Sequence, residues 1–97
     1  MPKRRDDRMP ERVNPRLRRA VFDIVRNQLS ANNPPETMQT LNRLQAEGHS
    51  KDEAMDLIAC VVVSEIHGVM SENRAFDNGR YVAALLALPT LPWDKDD

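Results

Sequence analysis

Leu17, Ala20, Val21, Ile24, Val25 and Leu29 follow one another at steps of three and four, with Arg16, Arg19, Asp23 and Arg26 on the other side. That spacing predicts an amphipathic helix over about residues 15–30. Met38, Leu41 and Leu44 make a narrower stripe, so a second helix over about 34–47 should pack on one side only. Tyr81, Val82, Leu85, Leu86 and Leu88 give the face of a last helix over about 78–88. Between these lies a different pattern. Leu57, Ile58, Ala59, Cys60, Val61, Val62 and Val63 are apolar without interruption. Three adjacent valines suggest a strand. A helix start seven residues earlier, and apolar spacing that continues through Ile66 and Val69, favour a third helix over about 51–70. A helix apolar all round is buried all round. It is therefore the central element of a bundle or the contact surface of a dimer.

Start and stop signals sharpen these boundaries. Asn33 and Ser50 each precede a glutamate by three positions, Glu36 and Glu53, as a capping box requires. Pro34 then falls at the first helical position, where its missing N–H costs nothing. Asn14-Pro15 repeats the arrangement at the first helix. Gly48 stands where a helix end needs a positive φ. Asp77 is placed to cap the last helix, with Phe76 and Tyr81 at the spacing of a hydrophobic staple. Asn78-Gly79 belongs to its first turn rather than to a hairpin, and Pro89 ends it. Residues 88–93 should be extended, with Leu91 and Trp93 folding back onto the bundle.

Composition limits what such a bundle can be. The chain has 97 residues, enough for one domain with a modest core. Its aromatic residues are Phe22, Phe76, Tyr81 and Trp93, so the core rests on aliphatic side chains. No uninterrupted apolar run reaches the ~20 residues of a membrane span, and the start of the chain lacks the apolar core of a secretory leader. A single cysteine, Cys60, allows neither a disulfide framework nor a cysteine zinc site. A cytoplasmic protein with no membrane contact is the expectation.

Charge divides the chain unevenly. Residues 1–19 hold eight basic and three acidic groups, the remainder six basic and twelve acidic, for a net charge of −1. Residues 1–12 are charged, aperiodic and contain Pro2 and Pro10, so they read as a disordered basic arm. Residues 13–93 form the helical domain, and residues 94–97 an acidic tail. The arm and first helix offer Arg4, Arg5, Arg16 and Arg19 to a nucleic-acid phosphate backbone. Asp6, Asp7 and Glu11 within the arm, and the acidic body behind it, oppose that use. The second and third helices have the order of a helix-turn-helix reader, but Lys51-Asp52-Glu53 at its entry would repel phosphate.

Groups for catalysis are sparse. Cys60 sits in the most apolar segment, where burial makes a thiol inert. His67, Val63, Cys60, Asp56 and Asp52 lie along one helical stripe. At 1.5 Å per residue, however, Asp56 and His67 are roughly 16 Å apart and cannot hold one ion. Asp52 and Glu53 have a simpler role beside the positive end of the helix dipole. His49 follows Gly48 in an exposed turn, and Gly68 either admits a close neighbour or weakens its helix. Pro89-Thr90-Leu91-Pro92 matches the short PxxP pattern, which arises readily by chance.

Taken in order, Asn14-Pro15-x-Leu17, Ile24-x-x-Asn27-Gln28, Asn33-Pro34-Pro35-Glu36, Thr40-x-x-Arg43-Leu44, Glu47-Gly48-His49-Ser50, Glu53-Ala54 and Phe76-Asp77-x-x-x-Tyr81 form a recognisable series. It resembles a family of small bacterial all-helical proteins of unknown function, over about residues 14–93. The resemblance implies an all-helical fold and assigns no activity. Some members carry histidines in N-P-x-L-H-x-x-x-H and H-E-A-x-H segments, which implies a metal site between two helices. The matching positions here are Arg18, Phe22, Asp52 and Asp56. None is a histidine, so no metal site transfers, and Asp52 and Asp56 are what remains of a metal reading.

The sequence thus predicts an all-α, four-helix domain with the third helix central and no cofactor. Its expected role is non-enzymatic association with a protein partner, a second copy of itself included. The alternatives are nucleic-acid binding through the basic arm and first helix, and a metal-dependent enzyme built on Asp52 and Asp56.

Overall fold

A computed structural model describes residues 14–94. The arm over residues 1–12, with Arg4 and Arg5, lies outside the described residues, as does the acidic tail beyond residue 94. Four helices follow in order: α1 (Pro15–Ala31), α2 (Pro35–Ala46), α3 (Lys51–Glu72) and α4 (Asn78–Ala87), then a short 3-10 turn, Pro92–Asp94. No strand occurs among the described residues. α3 packs against α1, α2, α4 and the final turn, and so is the centre of the bundle.

Each helix starts where a local side chain satisfies its first amides, with one exception. Asn14 Oδ1 accepts from Leu17 N–H at 2.7 Å. Ser50 Oγ accepts from Glu53 N–H at 3.0 Å while Glu53 Oε1 accepts from Ser50 N–H at 3.1 Å, a closed capping box. Asp77 Oδ1 accepts from Arg80 N–H at 3.1 Å, and the Phe76 and Tyr81 rings lie 5.7 Å apart. The exception is α2. Its cap is Pro34, extended at ψ 152°, without a side-chain cap bond, and the expected Asn33–Glu36 box does not form. Pro35 explains the shift: a residue before proline is driven out of the helical region, so Pro34 stays extended and Pro35 becomes the first helical residue. The Asn33–Pro34 and Leu88–Pro89 peptides are cis.

Three helices close on a left-handed residue. Asn32 (φ 51°), Gly48 (φ 107°) and Asn73 (φ 52°) turn the chain after α1, α2 and α3. After α2 the bonds are those of a Schellman motif, His49 N–H to Leu44 O and Gly48 N–H to Gln45 O, both 3.1 Å. α4 ends differently. Arg43 of α2 reaches across and donates to Leu88 O at 3.0 Å and Leu85 O at 3.2 Å, capping α4 from a neighbouring helix. The segment after α4 is a turn rather than extended, with Thr90 N–H bonded to Ala87 O. Leu91 does fold onto the core at 7% exposure, whereas Trp93 stays 43% exposed.

The core follows the apolar pattern with one rotation. All seven residues from Leu57 to Val63 are buried, none more than 8% exposed. α1 buries Val21 and Val25 and partly buries Leu17, Phe22 and Leu29, while Ala20 and Ile24 face solvent. The six-residue stripe expected for α1 is wider than its neighbours can cover. α2 adds buried Thr37 and Thr40 to Leu41 and Leu44. By length and composition α3 could cross a membrane, although its charge-poor stretch is interrupted by polar residues. In this fold the middle of α3 is enclosed by protein.

Candidate functional site

The residues singled out for chemistry do not gather in one place. Asp52 is exposed at the start of α3, and Asp56 is buried one turn later. Cys60 is wholly buried in the core, and His67 is exposed near the far end of the helix. Among the described residues no three of His, Cys, Asp or Glu form a group able to hold a metal ion. Arg16 and Arg19 are both exposed on α1, and the outer face they share continues to the Asp23–Arg26 ion pair. His49 is half-buried rather than exposed, with Nδ1 3.7 Å from Glu53 Oε1.

A groove of about 780 Å³ lies between the second half of α3 and α4. Ser64, His67, Gly68 and Ser71 line its α3 wall; Ala83, Ala84 and Ala87 line its α4 wall. Val61, Tyr81 and Leu91 contribute buried surface beneath them.

One end of this groove is charged, and the charges there are engaged with one another. Glu65 is 4% exposed. Arg74 grips it with two nitrogens, Nη1 to Oε2 at 2.8 Å and Nη2 to Oε1 at 3.2 Å. Asp77 N–H also donates to Glu65 Oε2, at 3.2 Å, which ties the entry of α4 to α3. Arg74 Nε reaches Glu72 at 2.8 Å, and Arg80 lies 3.8 Å from the same carboxylate. The Arg74 hydrogen bonds hold the Glu65 carboxyl below the usual range against the opposing effect of burial, with help from Asp77 N–H. The same pairing raises the Arg74 pKa.

Gly68 leaves room for this grip. A Cβ built there would collide with Arg74 Nη2. The left-handed Asn73 sends the chain back along α3, and Arg74 then lies across the bare backbone at Gly68 to reach Glu65. The close neighbour that Gly68 admits is therefore a side chain from its own helix end. Sequence reading missed the pair, although a signal existed. Glu65 stands one helical turn from Val61 and Val62, on a buried surface where a carboxylate needs a cation.

A second polar cluster joins the other helices. Gln28 Oε1 accepts from Tyr81 OH at 2.7 Å and Thr37 Oγ1 at 2.8 Å, linking α1, α4 and α2. Burial pushes the Tyr81 phenol pKa up, in part offset by its hydrogen bonds. This cluster is internal and presents no group to a ligand.

The chain beyond Arg80, on the α4 side of the groove, is uncharged. Residues 81–93 contain no ionisable group except the buried Tyr81, in a chain that is 30% charged. Ala83, Leu86, Ala87, Pro89, Thr90 and Trp93 of that segment are exposed, Leu86 at 63%. Leu86 forms a ridge beside the alanine wall, one residue before Ala87. Comparison of the chain with protein-family models, curated proteins and solved structures finds no match.

Proposed function

We propose that this chain is a non-enzymatic, cytoplasmic association protein that seats a protein partner against the outer face of α4. The observation that supports this reading is the charge-free stretch from Tyr81 to Trp93, with Leu86 standing in water beside the groove. Apolar side chains exposed singly need no explanation, but an exposed leucine beside the alanine-lined side of a groove supports a contact surface there. The polar groups around the groove support the same reading, because Glu65, Arg74, Glu72 and Arg80 satisfy one another. They build a wall and do not converge on a substrate position.

A photo-crosslinking residue placed at position 86 of the full chain, in cells that make it, tests this. The expected result is a discrete adduct from position 86, abolished by Ala83→Glu, and none from position 26 on the outer face of α1. No adduct from position 86, or equal adducts from both positions, would overturn the reading.

A further inference from the structure

We infer that Asn78 is a site of spontaneous modification, at which the backbone nitrogen of Gly79 displaces the side-chain amide and the isoaspartyl product frees the first turn of α4. The inference stands apart from the association reading above.

The chemistry needs a side-chain amide followed by a main-chain nitrogen within open reach. Asn14 and Asn33 precede proline, which has no N–H to lose. Asn27, Asn32, Asn42 and Asn73 precede Gln28, Asn33, Arg43 and Arg74, whose side chains crowd the nitrogen. Asn78 is the asparagine that precedes glycine. Both residues are exposed, and a Cβ at Gly79 would meet nothing nearer than Asp77 Oδ1 at 3.4 Å, so the approach is open.

The fold leaves that nitrogen available. Asn78 and Gly79 are the first two residues of α4, and opening amides have no partner inside their helix. Asp77 takes Arg80 N–H on Oδ1 at 3.1 Å and Tyr81 N–H on its carbonyl at 3.0 Å. Among the described residues nothing accepts from Gly79 N–H. The positive end of the helix dipole favours the nitrogen once it has lost its proton. A helix end frays at small cost, and glycine weakens it further, so Asn78 can reach the ring-closing geometry.

Deprotonated Gly79 N attacks Asn78 Cγ. The N–Cγ bond forms, the Cγ–Nδ2 bond breaks, and ammonia leaves with the proton. Water then opens the five-membered imide. Attack at Cγ gives aspartate. Attack at the main-chain carbonyl carbon gives isoaspartate, which routes the chain through Cβ and Cγ and adds one carbon to the backbone. No oxidant or reductant takes part.

The two products act differently on α4. Aspartate keeps the backbone and suits a first helical turn. Isoaspartate lengthens the path from Asp77 to Arg80, and both bonds that close the first turn span it. Asp77 N–H, which ties this entry to Glu65, lies before the added carbon and keeps its place. Modification therefore loosens the start of α4 and spares its anchor on α3.

Tryptic mapping of the purified full chain, held for weeks at mildly alkaline pH and set against a sample digested at once, tests this. Cleavage after Arg74 and Arg80 releases residues 75–80 as one peptide. Amide-to-acid conversion should appear there before it appears at Asn27, Asn32, Asn42 or Asn73, as two separable isomers. It should be lost in Asn78→Gln, whose longer side chain would have to close a six-membered ring. Isolated isoaspartyl protein should exchange the amide hydrogens of Arg80 and Tyr81 faster than the unmodified chain, whereas Asn78→Asp should not. No conversion at position 78, or earlier conversion elsewhere, overturns the site. Unaltered exchange in the isoaspartyl protein, or equal acceleration by Asn78→Asp, overturns the release of α4 by the added carbon.

Discussion

The middle of α3 and the outer face of α4 are both apolar, yet they have opposite fates. From Leu57 to Val63 every side chain is enclosed by α1, α2, α4 and the final turn. On α4, Tyr81 and Leu85 enter the core, while Ala83, Leu86 and Ala87 of the same helix face water. Sequence reading places the candidate dimer surface on α3, because that segment is the more continuously apolar. The fold encloses the middle of α3 and leaves the outer side of α4 exposed. Hydrophobicity alone therefore does not mark a contact surface; what matters is how much of it the chain's own elements cover. The middle of a 22-residue helix surrounded by three shorter ones is enclosed, whereas a ten-residue helix at the edge has no neighbour for its outer side among the described residues.

Substitutions can break or sharpen this contrast. The largest effect belongs to the enclosed segment. Ile58→Ala leaves a cavity at a site with no exposure, and urea denaturation should record a loss of about 2–5 kcal/mol. Leu86→Ala removes a comparable side chain from the open face, and the same measurement should change by no more than ~0.5 kcal/mol. Near-equal losses at the two sites would erase the distinction.

The grip at the charged end of the groove comes next. Glu65→Gln removes the charge that Arg74 holds and should lower the thermal midpoint at pH 7. The Glu65 pKa is depressed in the folded state, so its contribution is complete above the usual carboxyl value of 4.5 and is lost as pH falls through the lowered one. The wild-type advantage over Glu65→Gln should therefore shrink below about pH 4.5. A constant difference from pH 7 to pH 2 would contradict the pairing. Gly68→Ala should act in the same direction at pH 7. The alanine gains roughly 1 kcal/mol of helix propensity but obliges Arg74 Nη2 to shift, which weakens the two-nitrogen grip on the Glu65 carboxylate. At acid pH, with Glu65 protonated, the propensity gain should emerge and the sign should reverse.

The smallest effects concern single hydrogen bonds. Tyr81→Phe removes one of the two donors to Gln28 and should cost about 1 kcal/mol, read by denaturant midpoint. Because burial raises the Tyr81 pKa, its neutral form is favoured in the fold, and wild-type stability should decline as pH rises above about 10. Tyr81→Phe should lack that component. Ser50→Ala should cost about 1 kcal/mol through the lost cap.

These differences also explain how much was legible in the sequence. Four helices and their approximate limits could be read because caps act over three residues: Asn14 to Leu17, Ser50 to Glu53 and Asp77 to Arg80. The start of α2 was misplaced by one residue because Asn33 looked like a cap, while the constraint from Pro35 on Pro34 was stronger. The Glu65–Arg74 pair spans nine residues and depends on a left-handed turn at Asn73 that no capping motif announces. Gln28 and Tyr81 are 53 residues apart and meet only through the packing of three helices. Similarly, the apolar face of α4 was visible in the pattern, but which half of the helix remained open was not. That depends on the position of α3, and no local spacing encodes it.

Spectra of the backbone amides and methyl groups of the full chain, recorded with and without a soluble uncharged paramagnetic probe, test the central contrast most directly. Signals of Ala83, Leu86 and Ala87 should broaden while those of residues 57–63 stay sharp. Broadening centred on residues 57–63, with α4 silent, would contradict it.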